Sequence, residues 1–328
     1  MRKLLAPLLA LCLLAGCAPA HRPPEDPAAI IHTVIGVSQV GAESGFRVTN
    51  TESIRSVFTE EAGYRLLFED ARQKQENQIA AIRKFIQQQV DYILLMPLYV
   101  TGWESVLQEA RAAGIPVILV DRVIETEDDS LYTAHVGSDF RWEGEQAVAW
   151  LEETFREAPG PVNILHIRGT LDTSAQLGRS NALEEAVAQH ESWSFLAQLD
   201  GDFTQAKTYE ATTRWLDSQP QPPDIHAVYC ENDNTALGAI QALEERGYLC
   251  GPEGIRVISF DATRQGLDYC LEGKISLEVE CDPLVGPQVE KIIQILEQGD
   301  VPDKHYYTRE RLFTPEDLTR EFIDQRPY

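Results

Sequence analysis

From residue 32 onward the chain alternates short apolar runs with stretches whose apolar residues recur at helical spacing. The runs at 32–40, 64–69, 91–96 and 116–120 are rich in Val, Ile, Leu and Tyr. Parallel strands covered on both faces require such runs. Between them Ile79, Ile82, Phe85 and Ile86 share a helical face after a polar start, and 103–113 reads as a second helix. A second series follows the acidic stretch 125–129, which reads as an exposed loop. It has strands at 131–136, 161–167, 194–199, 225–229 and 255–260. Helices are expected near 174–189, 204–217 and 234–246, and Ala147, Trp150, Leu151 and Phe155 mark one face of another. Two β/α sets of similar length predict an α/β chain of two doubly wound parallel-sheet lobes. The remainder, a strand at 275–280, a helix at 286–298 and an extended run at 304–313, is too little for a third domain. These segments read as crossings back between the lobes, a hinge that can open and close a cleft.

In open α/β sheets ligands bind beyond the carboxyl ends of the strands, so polar residues there are the candidate site. The first strand leads into IGVSQVGAESGFR (35–47), read as a strand and then a polar loop carrying Glu43, Ser44, Phe46 and Arg47. A carboxylate and a guanidinium can share vicinal hydroxyls, and a ring can cover an apolar C–H face. That combination suits a polyhydroxylated ligand. Asp121-Arg122 follows the run at 116–120 directly, the pairing a monosaccharide site needs. Asn232-Asp233 and Asp261 end later strands in the same role, and Arg179 sits early in a helix within reach of the cleft. Catalytic motifs are missing: the sequence has no G-x-S-x-G, phosphate loop, G-x-G-x-x-G or H-E-x-x-H. Its 7 His are scattered without metal-ligand spacing, so neither a metal nor a cofactor is expected. Asp121 and Asp261 could form a glycosidase pair, but such pairs arise by chance where carboxylates are abundant. A non-enzymatic binding protein is the expectation.

The 328 residues, 43% apolar, imply about two domains. A formal charge of −24, more negative still once a leader with Arg2 and Lys3 is removed, repels phosphate backbones and excludes nucleic acid as a partner. After Arg2 and Lys3 the apolar run 4–14 is too short to span a bilayer and reads as an export signal. It ends in Leu14-Ala15-Gly16-Cys17, which resembles a bacterial lipobox. Lipidation of Cys17 would anchor the protein to the membrane, with 18–30 and its four prolines as a stiff tether. Of 6 cysteines, Cys230, Cys250, Cys270 and Cys281 then remain, an even number in an exported protein. One disulfide between Cys230 and Cys281, and four buried thiols, both fit.

These motifs resemble the type I periplasmic sugar-binding proteins of ABC transporters, most closely their galactofuranose-binding subgroup. The resemblance runs from 33 to 328 through SQVGAESGFR (38–47), QKQENQI (73–79), TGW (101–103), PVILVDR (116–122), GDF (201–203), END (231–233) with ALGAIQAL (236–243), and VECDPLVGP (279–287). It implies two lobes joined by three crossings, with 31–135 and 283–309 in the first and 136–282 and 310–328 in the second. Glu43, Phe46, Arg47, Asp121 and Arg122 would line the first lobe. Arg179, Phe203, Asn232 and Asp261 would face them, with Phe203 as the opposing stacking ring. This chain departs from the pattern in carrying Phe46 for a frequent Trp, Met96 for the Asn of ribose-type relatives, Asp282 for a usual Asn, and Gly178 for an acidic residue. Ala71-Arg72 also interrupts the usual polar stretch before QKQEN. The implied function is a monomeric, lipid-anchored receptor that captures a monosaccharide outside the cytoplasm and delivers it to an ABC permease. The alternative is a receptor presenting the sugar to a histidine kinase or chemoreceptor, which neighbouring genes would distinguish.

Overall fold

The computed structural model describes residues 33–328, so the expected leader, Cys17 and the tether lie outside the described residues. The chain opens with β1 (Thr33–Gln39), α1 (Gly45–Val57), β2 (Tyr64–Asp70), α2 (Gln75–Gln87), β3 (Tyr92–Leu95), α3 (Glu104–Ala112), β4 (Val117–Val120) and β5 (Ala134–Gly137). It continues through α4 (Phe140–Thr154), β6 (Val162–Arg168), α5 (Ser174–Gln189), β7 (Trp193–Asp200), α6 (Gln205–Asp217), β8 (Ala227–Cys230), α7 (Asp233–Glu244), β9 (Arg256–Asp261), α8 (Arg264–Leu271) and β10 (Leu277–Glu280). It closes with α9 (Gly286–Glu297), β11 (His305–Tyr307), β12 (Leu312–Phe313) and α10 (Arg320–Asp324).

The first sheet has the order β2-β1-β3-β4-β5-β11, with every pair parallel. The second is β7-β6-β8-β9-β10-β12, parallel except where β12 meets β10. Both orders reverse direction after the second strand, which opens a switch point between β1 and β3 and between β6 and β8. Strands β3, β4, β5, β8 and β10 are buried at every residue, as sheets covered on both faces must be. Alternate residues serve opposite faces. Leu94, Ile118 and Val120 pack on Ile54 of α1 and Val289, Ile292 and Ile293 of α9. Ile93, Leu95 and Leu119 pack on Ile82 and Phe85 of α2 and Leu107 of α3. β1 passes so close to α2 that a Cβ at Gly36 would lie 2.5 Å from the Phe85 ring.

The chain changes lobe between Gly137 and Phe140, between Glu280 and Gly286, and between Tyr307 and Leu312. The first sheet thus runs on through Gly137, and the single extended run expected at 304–313 is two short strands in different sheets. One carboxylate ties the three crossings together: Glu310 accepts from the Ser138 hydroxyl, from the Thr308 hydroxyl at 2.6 Å and from the Asp282 N–H at 3.2 Å.

Candidate functional site

Ser44 caps α1, its hydroxyl accepting from the Arg47 N–H at 3.3 Å. Phe46 and Arg47 therefore stand on the first turn of a helix, not in the polar loop read from the sequence. The loop ends at the cap because Ser44 satisfies an amide that the helix itself leaves free. At the end of β4, Asp121 turns with φ +64°. Its N–H donates to Val136 at 2.8 Å and its carbonyl accepts from His135 Nε2 at 2.9 Å. Burial lowers the His135 pKa to about 4, so the ring is neutral at pH 7 and holds its proton on Nε2 for that carbonyl. A Cβ at Gly137 would sit 2.6 Å from the same carbonyl oxygen, so β5 needs glycine beside this turn. In the second lobe Phe203 also has a left-handed backbone, φ +58°. Its ring packs against Gly169, where a Cβ would be 2.0 Å from Cζ. Asn232 caps α7 through the Thr235 N–H at 2.9 Å and donates to the Phe203 carbonyl at 3.4 Å.

Glu43, Phe46, Arg47, Asp121, Arg122, Arg179, Phe203, Asn232 and Asp261 all line one small cavity between the lobes. Ser44, Phe140, Ala175 and Cys281 complete its wall. Cys281 directly follows β10, so the strand-end rule could have found it. Phe140 and Ala175 occupy first helical turns, whose facing periodicity does not decide. Asp233, grouped with Asn232 in the sequence, faces away from the cleft and accepts from Ser259 and Thr263 inside the second lobe.

The first-lobe charges interlock. Arg47 donates to Glu43 through Nε at 3.3 Å and to Asp121 through Nη2. Arg122 approaches Glu43 only to 3.9 Å and lies 5.5 Å from the Phe203 ring centroid across the cleft. Burial, followed by the neighbouring Arg47, lowers the Arg122 pKa to about 10, which keeps it charged at pH 7. Opposite, Arg179 donates to Glu143 at 2.6 Å and stands 3.7 Å from Asp261. Burial raises Asp261 to about 8 against the pull of Arg179. Three guanidiniums thus face the carboxyls of Glu43, Asp121, Glu143 and Asp261. Among the described residues, four buried atoms of the first-lobe wall have no partner: Glu43 Oε2, Arg47 Nη1, and Arg122 Nε and Nη1. Each such group costs ~1–3 kcal/mol until something bonds to it. The lobes are closed on them, with the Val100 N–H bonded to the Asp172 carbonyl at 2.9 Å and the Val123 N–H to Ser174 Oγ at 3.1 Å.

The four described cysteines are free and buried. A Cys230–Cys281 disulfide is ruled out because β9 lies between β8 and β10, and two strand spacings exceed ~7 Å. Cys230 instead packs with Cys250 and Cys270 in the second-lobe core, while Cys281 joins Phe46, Phe140, Ala175 and Phe203 at the cleft. Two departures have local reasons. Met96 is fully buried in the first-lobe core, away from the cavity. Gly178 lets α4 begin against α5, since a Cβ there would lie 2.6 Å from that of Phe140.

Residues 35–280 match the family model described as periplasmic binding protein domain. The chain belongs to that family. As a periplasmic binding protein of the type I fold, it is similar over most of its length to the galactofuranose-binding protein YtfQ of Escherichia coli (strain K12), 35% identical over 89% of this chain and 91% of the relative. A Mycobacterium smegmatis protein in complex with β-D-fucofuranose superposes with a TM-score of 0.81 at 39% identity, covering 87% of this chain and 92% of that one. The binding component of the arabinose ABC transporter of Shewanella sp. ANA-3, bound to α- and β-L-arabinofuranose, gives 0.83 at 35% identity, over 90% and 96%. Among the described residues no helix is long and apolar enough to cross a membrane.

Proposed function

We propose that this periplasmic binding protein captures an aldose in its furanose form and delivers it to an ABC permease, without chemical change to the sugar. The observation that carries the reading is the set of unpartnered atoms at Glu43, Arg47 and Arg122, one acceptor beside three donors, between the Phe46 and Phe203 rings. Hydroxyls on adjacent carbons can satisfy both kinds at once, while the rings cover the C–H face. The furanoses named for similar proteins support the ring form. Binding energy that holds the lobes together would create the closed face a permease reads.

A thermal-shift screen with L-arabinose, D-galactose, D-fucose, D-ribose and D-fructose tests this. A true ligand at one hundred times its Kd stabilises by about 2.7 kcal/mol, which raises Tm by several degrees. A flat response to every aldose would exclude the reading. The protein is also proposed to act as a monomer held outside the cytoplasm by lipid on Cys17. Full-length protein should fractionate with membranes in the native host and Cys17→Ser should not; equal fractionation would remove the anchor.

A further inference from the structure

The turn that presents Asp261 to the cleft contains two consecutive left-handed residues, Asp261 at φ +96° and Ala262 at φ +54°. Neither is glycine, and such a backbone costs ~1–3 kcal/mol per residue unless its surroundings hold it. Asp233, the first residue of α7, holds it from below. Its Oδ2 accepts the Thr263 N–H at 2.8 Å and the Thr263 hydroxyl at 2.5 Å, and its Oδ1 accepts the Ser259 hydroxyl at 2.7 Å. Arg326 holds the other side, Nε donating to the Ala262 carbonyl at 2.7 Å. α8 makes room for the carboxylate, because a Cβ at Gly266 would lie 2.5 Å from it.

Glu278 of β10 pairs in register with Ser259 of β9, whose hydroxyl donates to Asp233; it has no exposed surface, and among the described residues neither of its carboxyl oxygens has a hydrogen-bond partner. No cation bonds to either side chain: among the described residues Arg326 is spent on Ala262 and Glu280, and Arg179 on Glu143, Glu231 and Asp261. The other titratable groups facing the pair are Asp261 on β9 and the Cys230 and Cys270 thiols from β8 and α8, both pushed up by burial and neutral at pH 7. Two neighbouring carboxyls in such a site cannot both ionise. Burial raises the pKa of Asp233, and raises Glu278 further, with the Asp233 charge adding to it.

We propose that Asp233 and Glu278 share one proton, Glu278 being the neutral donor, and that the pair is a positioning device holding the 261–263 turn so that Asp261 reaches the ligand. Only its affinity readout rests on the sugar-binding reading. Asp233 must stay ionised to accept three hydrogen bonds, and Glu278 lets it do so without a second buried charge.

The test compares the protein with Glu278→Gln and Asp233→Ala, using L-arabinose, D-galactose and D-fucose as probes. In the infrared at pH 7, Glu278→Gln should lose one protonated-carboxyl band present in the wild type. Its affinity should stay within about twofold of wild type, since the amide still donates to Asp233, whereas Asp233→Ala should weaken binding about tenfold or more while still unfolding cooperatively. As pH rises above neutrality, wild-type affinity should fall more steeply than that of Glu278→Gln, which has no proton to lose there. An unchanged band, an Asp233→Ala variant that binds like wild type, or identical pH profiles would each overturn the proposal. If Asp233→Ala does not fold, Thr263→Ala, which removes only the hydroxyl contact, should weaken binding severalfold, and undiminished binding would count against the turn's role. If no probe binds the wild type, the sugar reading fails, and the infrared band still decides the shared proton.

Discussion

Replacing Arg122 by alanine is expected to raise the Kd for sugar by about a hundredfold or more and to leave the folded state intact. Arg122 is 3% exposed, yet among the described residues its guanidinium has no hydrogen-bond partner. Its nearest carboxylate, Glu43, is 3.9 Å away, and two of its nitrogens face the cleft unpartnered. Without ligand this is a buried charge supported only by the Phe203 ring and by the more distant carboxylates. The depressed pKa expresses the same cost. Its hydrogen bonds are made only when hydroxyls enter, so most of its interaction energy belongs to the complex. The two readouts should therefore part company: titration calorimetry should show binding lost, and thermal unfolding without ligand should show Tm unchanged or raised. Unchanged affinity would remove Arg122 from the site. A large fall in Tm would make it a structural residue instead. Arg47 behaves differently, because Glu43 and Asp121 already hold it in place without a ligand.

The fold was legible because its strands are short, apolar and bounded by helical spacing, and because the strand-end rule depends only on finding those strands. Glu43, Asp121, Arg122, Asn232 and Asp261 were reached this way. Phe203 was not, since β7 is only partly buried along most of its length and the chain leaves it through left-handed Asp202 and Phe203, which have no periodic signature. It came from the GDF resemblance. Neighbouring residues at a helix cap point in opposite directions, so Asn232 and Asp233 could not be separated by spacing: one faces the cleft and the other the lobe interior. The short strands β11 and β12 merged into one run for a related reason, since their partners, β5 and β10, are distant in sequence. Glu143 carried no signal at all. It lies one turn into α4 and matters only because α5 brings Arg179 against it.

That buried pair gives the largest effect expected on stability. Arg179→Met should cost about 3–5 kcal/mol, the usual consequence of removing one partner from a buried ion pair. Arg179 and Glu143 are 2% and 0% exposed at their side chains, and the guanidinium also donates to the Glu231 carbonyl. Burial already holds the Glu143 carboxyl well above the usual carboxylate range, with Arg179 opposing that rise. Loss of the arginine must push it higher still. A group whose folded pKa lies above its unfolded value loses stability as pH rises through the folded pKa and is least costly below the unfolded one. The deficit of Arg179→Met should therefore be greater in alkaline than in acid buffer, as Glu143 takes up at lower pH the proton that replaces its partner. Adding Glu143→Gln should restore much of the lost Tm, because a neutral amide needs no counter-ion. It should not restore sugar binding, since Asp261 has lost its guanidinium neighbour and the cleft one of its lining donors. Thermal unfolding of the single and double variants in acid and alkaline buffer separates these effects. A deficit independent of pH, or a double variant no more stable than Arg179→Met, would show that packing around Phe140 and Phe260, over which the guanidinium lies, outweighs the charge pair.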